Sequence, residues 1–166
     1  MLNIMKLCVL LLGVIWSGAS VSAVNASALP PHARSAPVHM ILSLYSEKTW
    51  VWAKGAGYFA PNLKFVAWSG TRRRIEYIAA GRWFVTPKGT MCFQAVWRGG
   101  DVNPVEKRTC FDHRIDAGLV YQRRAPRGMW YEFKPDAPAP GYRLRQLTSG
   151  DLVSAKMTPL DIGIAR

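Results

Sequence analysis

With 166 residues, the chain is the size of a single domain able to bury a core. Its 22 Lys and Arg against 10 Asp and Glu give a net charge of +12, which disfavours a cationic partner and favours an acidic one. Beyond the N-terminal segment, no apolar stretch is long enough to cross a bilayer as a helix.

Residues 1–23 have the pattern of a signal peptide. Lys6 supplies the positive start, Leu7 to Trp16 form a short apolar run, and Val21 and Ala23 stand at the small-residue positions before a cut. Cleavage is expected after Ala23, with Ala26-Ser27-Ala28 offering a second site. Export would deliver a soluble mature chain to the periplasm or the exterior, with 21 basic residues against 10 acidic ones. It would also remove Cys8 and place Cys92 and Cys110 in an oxidising compartment, where one disulfide is expected.

Residues 24–38, rich in Ala, Ser and Pro, read as a flexible leader, and residues 39–166 as a single β domain. Met40–Tyr45 suits a short helical turn. Strands are expected near 49–54, 57–60, 63–69, 73–79, 82–86, 90–97, 105–115, 118–124 and 129–134, with Gly55-Ala56-Gly57 as a turn between the first two. Such a rhythm belongs to an all-β fold: an antiparallel up-and-down barrel or barrel-like sandwich of 8–9 strands, lipocalin-like in architecture. Residues 135–141, PDAPAPG, break the pattern and open an irregular Pro-rich C-terminal segment.

Turn chemistry predicts the register. Pro87-Lys88-Gly89 suits a three-residue hairpin loop, which sets Val85 opposite Met91 and Trp83 opposite Phe93. Asp116-Ala117-Gly118, read the same way, sets Ile115 against Leu119 and His113 against Tyr121. A longer loop over 98–104 pairs Trp97 with Val105 and brings Cys92 directly opposite Cys110. Directly opposed residues lie about 4.5–5.5 Å apart at Cα, within disulfide range. Alternation then sends Met91, Phe93, Ala95, Trp97, Val105, Phe111, His113 and Ile115 to a core face, with both cysteines on the other.

Several segments then occur in a telling order: Lys48-Thr49-Trp50-Val51-Trp52, Lys54-Gly55-Ala56-Gly57-Tyr58-Phe59, Gly81-Arg82-Trp83, Cys92-Phe93, Cys110-Phe111-Asp112-His113 and Tyr121-Gln122-Arg123-Arg124. From about Leu44 to Asp151 the chain resembles a family of small exported Gram-negative bacterial proteins, domain of unknown function 995. The resemblance implies no activity and no catalytic residues. It departs from the family pattern at Glu47, where a glycine is expected.

His113, Tyr121, Trp83 and Trp97 are the candidate ligand-binding residues, since an inward imidazole beside a phenol could orient a ligand inside a hollow barrel. One histidine with divergent carboxylates does not make a metal site, and no cofactor motif is present. Arg72, Arg73, Arg74, Arg123, Arg124 and Arg127 are the candidate anion-binding residues, because arginine suits bidentate phosphate or carboxylate contacts. Trp50 and Trp52 share one side of the first strand and could stack on a sugar ring or a lipid chain, but core packing is the favoured assignment. Without a nucleophile elbow, phosphate loop or zinc-protease helix, the expected role is non-catalytic binding. The expected partner is an anionic envelope component (lipid head group, lipopolysaccharide or acidic polysaccharide) or a small amphipathic ligand, and export makes nucleic acid a poor fit. The rivals are an enzyme acting on envelope sugars or lipids and a structural or interaction protein of the envelope.

Overall fold

Turn residues and period-two alternation, far more than any helical period, set the architecture. A computed structural model describes residues 28–71, 74–100, 102–134 and 146–157. The expected signal peptide lies outside them.

In chain order the elements are β1 (Arg34–Ser35), α1 (Val38–Tyr45), β2 (Lys48–Trp52), β3 (Gly55–Phe59), β4 (Lys64–Gly70) and β5 (Ile75–Val85). There follow β6 (Thr90–Gly99), β7 (Val102–Asp116), β8 (Leu119–Arg124), β9 (Tyr131–Glu132), β10 (Gln146–Ser149) and a 3-10 turn at Ser154–Lys156. The strands form one antiparallel sheet in the order β10-β2-β3-β4-β5-β6-β7-β8-β9, with β1 paired to β7. The sheet curls into a half-barrel. Among the described residues β9 and β10 do not pair, so the expected closure is not seen there.

The concave side holds the core. Pro37 opens α1 with extended backbone, and Ile41 and Tyr45, one helical turn apart, bury one side of the helix against the sheet. Tyr45 meets Phe59 at 5.2 Å between ring centroids and Trp50 at 5.8 Å. A smaller apolar cluster lies apart from this core, where Val153 and Met157 pack with Ala56 and Trp68.

The 86–90 hairpin has the expected register, with Val85 opposite Met91 and Trp83 opposite Phe93. Gly89 takes the left-handed conformation at φ 79°. Cys92 stands opposite Cys110, their Cα atoms 4.1 Å apart, and the two are joined by a disulfide.

Five expectations are corrected. The next hairpin is tighter than read: Ala117 and Gly118, at φ 46° and 80°, form a two-residue loop closed by Asp116 and Leu119. That moves β8 by one residue, so Ile115 faces Val120 and His113 faces Gln122 instead of Tyr121. Gly55-Ala56-Gly57 is strand β3, not a turn. A Cβ on Gly57 would come within 2.7 Å of the Phe65 ring and 3.2 Å of the Trp52 ring, so the missing side chain lets both rings cross the strand. Strands 73–79 and 82–86 are one strand, β5, because Gly81 marks a close approach to β6: its Cβ would lie 2.0 Å from the Gln94 carbonyl. The domain begins before residue 39, since Arg34–Ser35 pair with β7 and Ala36 is buried. Finally, β10 falls in the segment read as irregular, with Leu147 in the core.

The backbone at Glu47 accounts for the glycine expected at this position. Glu47 links α1 to β2 at φ 60°, donating its N–H to the Phe59 carbonyl at 2.9 Å and accepting from Gly150 N–H at 2.8 Å. Left-handed backbone disfavours a side chain and suits glycine. Glu47→Gly should therefore raise stability by about 1 kcal/mol, read as a higher urea midpoint; a lower midpoint would refute this account. Replacing Cys92 and Cys110 together with serine should lower stability by roughly 3 kcal/mol on the chain-entropy model, measured in the same titration.

Candidate functional site: an aromatic cleft beside a sealed histidine

Alternation aims every second residue of the curled sheet at its concave side. At one end this produces a cleft of about 240 Å³. Trp50 and Trp52 of β2 and Phe59 of β3 form one wall, with Phe65 of β4 beyond them. Phe93 and Trp97 of β6, with Thr109 and Phe111 of β7, form the other. Phe65 and Phe93 stack at 4.5 Å, and Trp50 lies 4.8 Å from Phe111. Trp52, Phe93, Trp97 and Thr109 remain half-exposed, which leaves the cleft open to solvent.

Arg124 is the cation among these lining residues. It stands opposite Phe111 at the end of β8, and its neighbour Arg123 takes the opposite face. There Arg123 pairs with Asp112 at 2.9 Å and covers the Trp130 ring at 4.6 Å. An arginine at the rim of an apolar cleft can hold the charged head of a ligand whose apolar part lies inside.

A second group lies deeper and is closed. His113 and Gln122 are completely buried. The Tyr45 hydroxyl is 2.9 Å from His113 Nε2, the Gln122 amide donates to the Tyr45 oxygen, and Tyr131 donates to Gln122 Oε1. Since the Gln122 amide nitrogen is also 2.9 Å from Nε2, that ring atom faces donors and must accept. The neutral ring therefore carries its proton on Nδ1, assigned from these partners. Nδ1 has no hydrogen-bond partner among the described residues. Burial lowers the His113 pKa to about 4, against the opposing pull of the Gly89 and Phe111 carbonyls and the Asp112 carboxylate.

Of the four candidate ligand-binding residues, Trp97 lines the cleft. Trp83 is core, its indole N–H donating to the Ala60 carbonyl at 2.9 Å. His113 is sealed, and Tyr121 faces away from it, opposite Arg114 and Glu132. Among the described residues the candidate arginines are not gathered on one face. Arg74 is exposed before β5, Arg127 is exposed after β8, Arg123 and Arg124 point apart, and Arg72 and Arg73 lie outside the described residues. Trp50 and Trp52 pack with the core, as the favoured assignment has it, and also line the cleft, whereas Phe59, Phe65 and Phe111 are lining residues that the sequence did not single out. The signal lay in alternation, which puts Trp50 with Trp52 and Phe93 with Phe111 on one face, but alternation does not tell a filled face from a hollow one. Among the described residues no three metal-ligating side chains converge.

The histidine gives a signed pH dependence. Its folded pKa lies below the ordinary 6.5, so the unfolded chain binds more protons between the two values. The stability contributed by the neutral ring should be complete above pH 6.5 and fall progressively toward pH 4, by an amount of order 3 kcal/mol. Urea titrations across that range check it, and His113→Gln should flatten this part of the profile.

No curated protein and no solved structure matched the chain. Residues 12–153 match the family described as Protein of unknown function (DUF995), and the chain belongs to that family.

Proposed function

We propose that this is an exported, non-catalytic binding protein of the cell envelope that takes a small amphipathic anion into the concave cleft. The apolar part would lie among Trp52, Phe93 and Trp97, and the acidic head would meet Arg124. The observation that carries this reading is the pairing of an aromatic cleft of about 240 Å³ with an arginine in its lining. That volume is below the roughly 300–1,000 Å³ of pockets that enclose drug-sized ligands, so an acyl segment or a single ring fits better than a whole lipid.

Export is supported by the signal-like residues 1–23 and by a disulfide, which persists in oxidising compartments. Binding is favoured over catalysis by the position of His113. The enzymatic reading needs carboxylates or His113 to meet in an open cleft; His113 is buried among Tyr45, Gln122 and Phe133 instead, and among the described residues no carboxylate lines the cleft.

Decanoate and decanol, which share a chain length and differ in charge, test the reading. Trp50, Trp52 and Trp97 line the cleft, so tryptophan fluorescence should change on titration with decanoate. Decanol should bind more weakly, and Arg124→Gln should weaken decanoate by roughly tenfold while leaving decanol unchanged. No fluorescence or calorimetric response to either compound would overturn the proposal.

A further inference from the structure

On the convex face, away from the cleft, four side chains stand side by side across four strands. Lys64 of β4 is directly opposite Arg82 of β5, Arg82 is opposite Gln94 of β6, and Gln94 is opposite Arg108 of β7. With strands about 4.8 Å apart, the row spans roughly 14 Å. It lines a shallow depression of about 680 Å³, walled at one end by Asn62 and Leu63.

Like charges placed directly opposite one another destabilise a sheet. Lys64 and Arg82 are such a pair, and among the described residues no carboxylate forms an ion pair with either. Arg108 is held in place: its Nε and a terminal nitrogen donate to Gln94 Oε1 at 2.9 and 2.6 Å, and its guanidinium lies 5.7 Å from the Phe84 ring centroid. Gln94 in turn donates to Glu106 at 2.8 Å, which keeps its oxygen turned toward Arg108. Glu106 stands at the border and is not among the residues lining the depression. The end wall is also fixed. Leu63 sits at φ 65°, unusual for a branched side chain, and its carbonyl accepts the Trp83 N–H at 2.9 Å.

We propose that Lys64, Arg82 and Arg108 form a phosphate-binding site, for phosphate groups on a free organic anion or on a lipid head group. A bound phosphate relieves the repulsion between Lys64 and Arg82 and accepts charge-assisted hydrogen bonds from both. The length of the row suits a ligand with more than one phosphate. The site shares no residue with the cleft, so either can fail without the other.

Binding is measured with inorganic pyrophosphate by calorimetry and with phosphatidylcholine vesicles, with and without phosphatidic acid, by co-sedimentation. Binding of pyrophosphate assigns the free anion, and binding confined to phosphatidic acid vesicles assigns the head group. In either arm Arg82→Gln and Arg108→Gln should each weaken binding about tenfold. Arg74→Gln removes the same charge from an exposed position outside the row and should change binding by less than about twofold. Two results overturn the site: no binding of either probe, or a loss with Arg74→Gln equal to that with Arg82→Gln, which would mean diffuse attraction to net charge.

Discussion

The Tyr45 hydroxyl, 2.9 Å from His113 Nε2 and bonded to the Gln122 amide, ties α1 to β7 and β8 in the depth of the half-barrel. These are buried polar groups, and each would cost roughly 1–3 kcal/mol if left without a partner, so they hold one another in a single arrangement. The same tyrosine fills space with its ring, against Phe59, Trp83 and Phe133. That half of the concave side is therefore solid. No α1 residue lines the cleft, which opens where the helix no longer covers the sheet and the aromatic side chains face one another alone.

The legibility of the chain depended on how sharply each turn restricts its backbone. Thr86 and Thr90 close a loop in which Gly89 alone needs a positive φ, and proline and glycine flank Lys88 in the order that such a loop requires. The disulfide register followed, and with it the faces of β6 and β7. Asp116-Ala117-Gly118 carries less information. It accommodates a three-residue loop, but Ala117 accepts a left-handed conformation and shortens the loop to two residues. In a sheet a one-residue slip exchanges the faces. That slip put Tyr121 where Gln122 stands, so the buried partner of His113 was named wrongly although its strand was found.

Glycine misled the reading twice, for one reason. At Gly57 and Gly81 the missing side chain serves an approach between neighbours: two rings crossing β3 in the first case, the β6 backbone in the second. Local sequence cannot distinguish this from a turn, because the atoms that exclude a Cβ come from Trp52, Phe65 and Gln94, elsewhere in the fold. The strand Gln146–Ser149 was illegible for a related reason. Leu147 is its one large apolar residue, and its place is set by β2, where buried Thr49 accepts Leu152 N–H at 3.0 Å and donates to the Gly150 carbonyl at 2.7 Å.

The position of the disulfide links the two faces of the sheet. Cys92 and Cys110 fix β6 against β7 at one rung of the ladder. The next rung, Phe93 opposite Thr109, points into the cleft, and the one after it, Gln94 opposite Arg108, lies in the convex row. Because successive rungs alternate faces at a fixed spacing, a covalent tie at one rung holds the inner aromatic wall and the outer guanidinium in the same register. Strand sliding that moved Arg108 away from Gln94 would also turn Thr109 and Phe111 out of the cleft. The bridge therefore constrains geometry at both places, and for the binding proposed at either one it would supply preorganisation as well as stability of the domain.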